Sequence, residues 1–255
     1  MVTRADRAMS FGSVANDYDR LRPGPPDVAV DWLLPAGCAV AVDVGAGTGL
    51  LTRALARRVP RVVAVEPDQR MRAVLLARSP GIEALDGRGE AIPLPDASAD
   101  GVFISSAWHW MDPDLAVAEV TRVLRDGGRF GLIWTSRDRT GWLREITERA
   151  RPGGGRPPDS VQPGQRQRQA MTEMPAGAPL ENIARQAFTF TRTMTVDDLI
   201  EQLGTYSMMI TAGPAERADL LAGARAALSE RFPGATEVDV PMRSQCWRAD
   251  RVPRG

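Results

Sequence analysis

The residues with the most chemical content lie in one run, Val42-Asp43-Val44-Gly45-Ala46-Gly47-Thr48-Gly49. A β-branched apolar stretch, 39–44, leads directly into a glycine turn, and a helical pattern follows from Leu50. Glycine permits a sharp turn and removes the Cβ that would hold a ligand away from the backbone. At the carboxyl end of a parallel strand, such a turn lies where open α/β sheets bind ligands. The glycines fall at 45, 47 and 49, with Leu at 50, so the spacing departs from the G-x-G-x-x-G of a dinucleotide turn. Asp43 adds a negative charge that disfavours a pyrophosphate and suits a cationic amine. Glu66 ends the next apolar run, 62–66, about 20 residues beyond the turn. A carboxylate there can accept hydrogen bonds from both hydroxyls of a ribose. The bland alternative, a solvated Glu at a strand end, loses weight after this glycine turn.

The elements that must hold these residues alternate in type. Residues 39–44, 62–65, 82–85, 101–105 and 129–134 read as short buried strands. Between them, Leu50 to Arg58, the Met71-Val74-Leu75 face and a helix opened by Asp112-Pro113 read as helices. Pro67-Asp68 and Asp126-Gly127-Gly128 punctuate the pattern as turns. This alternation predicts right-handed crossovers and a mainly parallel sheet. Residues 153–169 contain a single aliphatic side chain, Val161, and read as a flexible loop. Beyond it, 187–191 and 238–247 read as strands. Thr195 to Asp198 resembles a capping box, and Pro214 opens another helix.

Composition narrows the function classes. The chain has 32 basic and 32 acidic residues, so the surplus expected of a polyanion-binding protein is missing and nucleic acid is not an expected partner. Cys38, Cys246 and the single His109 make neither a disulfide framework nor a metal-ligand spacing. No run reaches the ~18 apolar residues of a membrane span, and the first residues lack the apolar stretch of a secretory signal. A cytoplasmic protein with no membrane partner, monomeric or homodimeric, is the default expectation.

Several motifs in order carry a family resemblance. Val42 to Thr52 resembles motif I of the class I S-adenosylmethionine-dependent methyltransferases. Val63-Ala-Val-Glu-Pro-Asp68 is similar to their ribose-binding motif. Gly89-Glu-Ala-Ile-Pro-Leu-Pro95 followed by Asp100-Gly-Val-Phe103 is similar to the adenine-binding stretch and fourth strand. Val123 to Arg129 resembles the entry to the fifth strand. The C-terminal half, with Ser207 and Pro214-Ala-Glu-Arg217, resembles the small-molecule branch that contains trans-aconitate methyltransferase-like proteins. The resemblance implies an α/β, Rossmann-like, seven-stranded, mostly parallel sheet with helices on both faces and the last strand antiparallel. It also implies S-adenosylmethionine as cofactor and S-adenosylhomocysteine as product. Asp43, Gly45, Ala46 and Gly47 would face the methionine part, Glu66 and Pro67 the ribose, and Gly89 and Glu90 the adenine. Ser105 would lie near the sulfonium. Arg88 stands where many relatives carry a small residue or Asp. Four stretches are expected on this basis. Residues 1–37 form an N-terminal cap segment and 38–135 the cofactor-binding core. Residues 136–178 form a helix and the flexible loop, and 179–255 complete the sheet and the acceptor pocket.

The methyl acceptor is expected beside Ser105-Ser-Ala-Trp-His-Trp110. His109 could take a proton from a hydroxyl acceptor, because imidazole titrates near neutrality; it could equally be a packed core histidine. Trp108 and Trp110 could wall an apolar pocket or fill the core. Arg137 and Arg22 could pair with an anionic acceptor or with the cofactor carboxylate, or could each be a surface Arg. Tyr18 is expected to close the N-terminal segment over the cofactor. Tyr206 is expected in the acceptor pocket, where Met208 and Met209 are either lining or gap-fillers. No metal is implied. Methyl transfer to a carboxylate or hydroxyl oxygen of a small molecule is the leading expectation. Transfer to C or N, a repurposed cofactor-binding protein, and a nucleotide-dependent oxidoreductase, which the glycine spacing disfavours, are the alternatives.

Overall fold

The computed structural model describes residues 15–138, 141–149, 174–204 and 213–253. In chain order the elements begin with α1 (Ala15–Leu21), α2 (Asp27–Leu33), β1 (Val40–Val44) and α3 (Leu50–Ala56). They continue with β2 (Arg61–Val65), α4 (Gln69–Arg78), β3 (Glu83–Leu85) and β4 (Ala99–Ser105). A one-turn 3-10 helix, Trp108–Trp110, precedes α5 (Pro113–Val123) and β5 (Leu124–Arg137). The remainder is α6 (Trp142–Arg149), β6 (Leu180–Thr195), α7 (Val196–Gly204), α8 (Pro214–Arg231) and β7 (Glu237–Arg251).

The strands form one seven-stranded sheet in the order β3-β2-β1-β4-β5-β7-β6. β1 to β5 pair in parallel, and the last strands run antiparallel. The chain doubles back at β1, whose neighbours are β2 on one side and β4 on the other, so the loops leaving these strands diverge from a single point. That is the crevice where such sheets take ligands.

Two compact units divide the chain. Of the described residues, one comprises 23–135, 174–188 and 244–253. Its core forms on both sides of β1 and β4, because both faces of a parallel strand are buried. On one side Val42, Val44, Val102, Ile104, Phe130 and Trp247 pack together. On the other, Ala41, Phe103 and Ile133 meet Val30 and Leu33 of α2 and Leu51 and Leu55 of α3. The second unit comprises the described residues of 15–22, 136–149 and 189–243. Its core is Leu143 and Ile146 of α6, Leu199 and Ile200 of α7, Ala224 and Leu228 of α8, and Val238, Val240 and Met242 of β7. There the Leu21 carbonyl of α1 accepts from Gln202 Nε2 at 2.7 Å and from Arg192 at 3.1 Å.

Local signals predict the helix starts well. The Asp112 carboxylate accepts from the amides of Asp114 and Leu115, with Pro113 in the first turn. Thr195 Oγ1 accepts from the Asp198 amide at 3.0 Å, the bond expected of its capping motif. Strand lengths differ more. β5 starts at Leu124, ahead of the predicted Arg129, because Arg125 to Gly128 bulge out between the pairings Ala99–Leu124 and Gly101–Arg129. β6 runs 16 residues, well beyond 187–191. It is an edge strand with an irregular burial pattern, so strict alternation marks only part of it. Among the described residues, no helix is long and apolar enough to cross a membrane.

Candidate functional site

The turn after β1 is built from backbone groups. The amides of Gly45 and Ala46 both reach the Val65 carbonyl, at 2.8 and 3.1 Å. The next amide, that of Gly47, donates to Glu66 Oε2 at 2.8 Å. The other carboxylate oxygen of Glu66 accepts from the Asp68 amide at 2.9 Å. Glu66 therefore does more than end β2: it clasps the glycine turn to the strand beside it. The bond from Asp68 curves the chain past Pro67 into α4. Each carboxylate oxygen has a second lone pair, so Glu66 can still accept from a ligand.

The three glycines differ in their reasons for being glycine. All have positive φ: 68° at Gly45, 57° at Gly47 and 87° at Gly49. A Cβ on Gly45 would lie 2.6 Å from the Cβ of Ala107, and one on Gly49 would lie 2.9 Å from Leu75. These two are packing requirements. A Cβ on Gly47 would meet no atom of the described residues within 4 Å. Among the described residues, Gly47 is thus the member of the turn whose bare face is left uncovered.

Two carboxylates lie beneath the turn. Asp43 is 0% exposed, and its Oδ2 accepts from Thr52 Oγ1 at 2.6 Å. Its Oδ1 has no hydrogen-bond partner among the described residues. Burial pushes the Asp43 carboxyl up to about 7; the Thr52 bonds oppose this, and the Glu66 charge adds to it. Glu66, 8% exposed, is also raised by burial, against the lowering effect of its bonds from Asp68 and Gly47. Burial would raise Asp68 too, yet its paired bonds from Arg70 leave it below the usual range. Thr52 was not visible as a partner from sequence, although its position nine residues after Asp43, on the buried face of α3, is the signal that could have found it.

The adenine-side residues of the sequence analysis lie against the start of α5. Glu90 Oε1 accepts from the Asp112 amide at 2.8 Å, and a Cβ on Gly89 would collide with the Met111 thioether. Arg88 and Ala91 form an isolated antiparallel bridge around them.

The segment after β4 has a different character. Ser105 is half-buried, and Ser106 turns the chain with a left-handed φ of 56°. Such a conformation in a non-glycine residue costs about 1–2 kcal/mol and points to a site that requires it. Ser106 was not singled out in the sequence, because nothing local reports a positive φ at serine. Ala107 follows, against Gly45, then the 3-10 helix. Trp108 is 1% exposed and packs edge-on to Phe130 at 5.6 Å, so its ring surface is taken up by the core. His109 and Trp110 are half-buried, with ring centroids 4.4 Å apart.

The remaining predicted residues belong to the second unit or lie outside the described residues. Tyr18 and Arg22 belong to the second unit, where the Arg22 guanidinium lies over the Tyr18 ring at 5.0 Å. Arg137, at the end of β5, belongs to it as well. Tyr206, Met208, Met209 and the 153–169 loop lie outside the described residues.

Comparison with known proteins decides the family. Residues 42–132 match the methyltransferase domain family. An uncharacterized methyltransferase of Mycobacterium tuberculosis is 40% identical over 250 residues, covering 97% of this chain and 98% of its own. The chain belongs to the class I S-adenosylmethionine-dependent methyltransferases. A solved structure similar to this methyltransferase is a putative type II methyltransferase from Anaeromyxobacter dehalogenans. It has a TM-score of 0.69 and 26% identity, covering 91% of this chain and 99% of that one. A malonyl-[acyl-carrier protein] O-methyltransferase of Methylococcus capsulatus is 33% identical over 132 residues, 48% of each chain.

S-adenosylmethionine is the cofactor of this methyltransferase, and the turn suits it. The ligand is cationic at its amine and sulfonium and offers two ribose hydroxyls. Among the described residues, the turn offers a buried carboxylate with one unpartnered oxygen, a second buried carboxylate and an uncovered glycine face.

Proposed function

We propose that this methyltransferase transfers a methyl group to a small-molecule acceptor, at a carboxylate or hydroxyl oxygen. The supporting observation is the contact between the turn and the segment after β4: Gly45 has no Cβ, and Ala107 fills that place. A cofactor held on the turn then has His109 and Trp110 within the adjoining stretch of chain. Proximity of this kind accounts for much of an in-line displacement.

When bound, S-adenosylmethionine supplies a methyl group on a sulfonium, already activated for displacement. On this reading Gly47 gives the methionine part a close approach to backbone. Asp43 sets a negative potential beneath the amine, Glu66 accepts from the ribose, and Gly89 and Glu90 flank the adenine. Ser105 lies at the end of β4, on the methyl side. A carboxylate acceptor needs no base. A hydroxyl acceptor must lose a proton, and His109 is the group in this segment able to take it. Trp110 contributes an apolar wall. The likeness to an enzyme named for O-methylation of a malonyl carrier, confined to 48% of the chain, favours oxygen over carbon or nitrogen. The equal numbers of basic and acidic residues favour a small acceptor over a nucleic acid.

The deciding experiment is calorimetric titration with S-adenosylmethionine, S-adenosylhomocysteine and NAD, followed by a screen of small acids and phenols for S-adenosylhomocysteine release. Binding of the first two ligands and methyl esters or ethers as products are the expected results. Binding of NAD alone would overturn the site. Products methylated at carbon or nitrogen would overturn the acceptor class.

A further inference from the structure

We propose that Arg122 and Glu119 are positioning residues that set the adenine-side wall of the cofactor site, an inference resting on the assignment of Gly89 and Glu90 to that side. The chain between β3 and β4 has little regular structure of its own. It contains Pro93 and Pro95, which have no amide to donate. α5 supplies what it lacks, at both ends. At the start of the helix, Glu90 accepts from the Asp112 amide and Gly89 abuts Met111. At its end, Arg122 spreads its guanidinium over the same segment. Nη1 donates to the Leu94 carbonyl and to Asp96 Oδ1, both at 2.8 Å, and Nη2 to the Ile92 carbonyl at 2.9 Å. Nε and Nη2 also form a two-pronged pair with Glu119, at 2.7 and 2.8 Å. Glu119 in turn accepts from the Ile92 amide at 2.8 Å.

Two side chains thereby satisfy three backbone groups, both polar groups of Ile92 among them. The anchoring continues through Ala97 and Ser98, whose amides reach the carbonyls of Arg122 and Val123 at 2.9 Å. Ile92 lies two residues beyond Glu90, so whatever fixes Ile92 fixes the wall. Lysine cannot replace the guanidinium, because a single ammonium does not reproduce a planar fork with fixed directions. Arg122 and Glu119 act on the cofactor only through the 89–92 backbone. Their loss should therefore weaken adenine-containing ligands while the turn after β1 stays intact.

The test is titration of Arg122→Lys and Glu119→Gln with S-adenosylhomocysteine, and with adenosine by competition. Gly89→Ala serves as a direct disturbance of the wall. Arg129→Lys disturbs a different guanidinium pair, with Asp250, as a control for general loosening. Arg122→Lys and Glu119→Gln should each weaken both ligands by about tenfold, the loss of one charge-assisted hydrogen bond. Arg129→Lys should leave both affinities unchanged. If Gly89→Ala weakens adenosine while the Arg122 and Glu119 variants bind normally, the inference is overturned and the adenine assignment stands. If Gly89→Ala binds adenosine normally, the assignment itself falls, and the inference with it. Equal weakening by Arg129→Lys would also overturn the inference, by reducing it to loss of stability. Should Arg122→Lys fail to fold, the near-isosteric Glu119→Gln carries the test alone.

Discussion

The turn after β1 and the segment after β4 touch at Gly45 and Ala107, yet they are made differently. The turn is backbone: three consecutive amides are held by Val65 and Glu66, and three positive-φ glycines give it its shape. The segment after β4 is made of rings. Trp108 is committed to the core, and His109 and Trp110 lean on each other at its margin. Its one backbone peculiarity is the left-handed Ser106. Backbone conformation tolerates almost no substitution, whereas ring packing at a margin can be altered without changing the sheet. A binding surface for a constant ligand is best built the first way, and one for a variable ligand the second.

The comparison breaks most severely at Gly47. Gly47→Val should abolish cofactor binding in calorimetry while the protein still unfolds cooperatively. The new side chain would meet no atom of the described residues and would occupy the ligand's approach. The positive φ adds a cost of about 1–2 kcal/mol in stability. Wild-type affinity would remove the turn from the site. On the other side, His109→Ala should slow methylation of a hydroxyl acceptor by ~10² and leave a carboxylate acceptor nearly unaffected. Unchanged turnover of the hydroxyl acceptor would return His109 to a packing role.

Glu66→Gln tests the clasp between the two strands. Glutamine has one oxygen where Glu66 uses two, so either the Gly47 or the Asp68 amide loses its acceptor. S-adenosylhomocysteine affinity should fall by about 1–3 kcal/mol, the range for hydrogen bonds to a charged group. An unchanged affinity would refute both the clasp and the ribose contact.

The carboxylates beneath the turn are tested with pH. Asp43 holds its proton up to about 7 when folded, against an ordinary carboxyl value of 3.8 when unfolded. Between those values the folded state binds more protons, so stability should fall as pH rises from about 4 to about 7 and level off above. Glu66, raised in the same direction, adds to the slope. Urea unfolding across this window should show a shallower dependence in Asp43→Asn. An identical slope would mean that Asp43 is ionised throughout.

Much of this could be read from the chain. The glycine spacing 45, 47, 49 and the carboxylate at 66 located the turn and its partner strand, because a sharp turn at a strand end leaves few residue choices. Asp112-Pro113 and Thr195 announced their helices through capping, which is local. The bulge at 125–128 and the length of β6 were not legible. Both depend on which strand lies alongside, and that is a property of sheet order.

Sequence alone determined the parallel sheet, the turn after β1 and the family of the chemistry, since these follow from residue type at short range. Tertiary structure decided which glycine is open and which are packed. It paired Asp43 with Thr52, committed Trp108 to the core, and turned Glu66 into a clasp for the Gly47 amide. Those distinctions depend on atoms distant in sequence arriving within a few ångströms, and no local pattern encodes such distances.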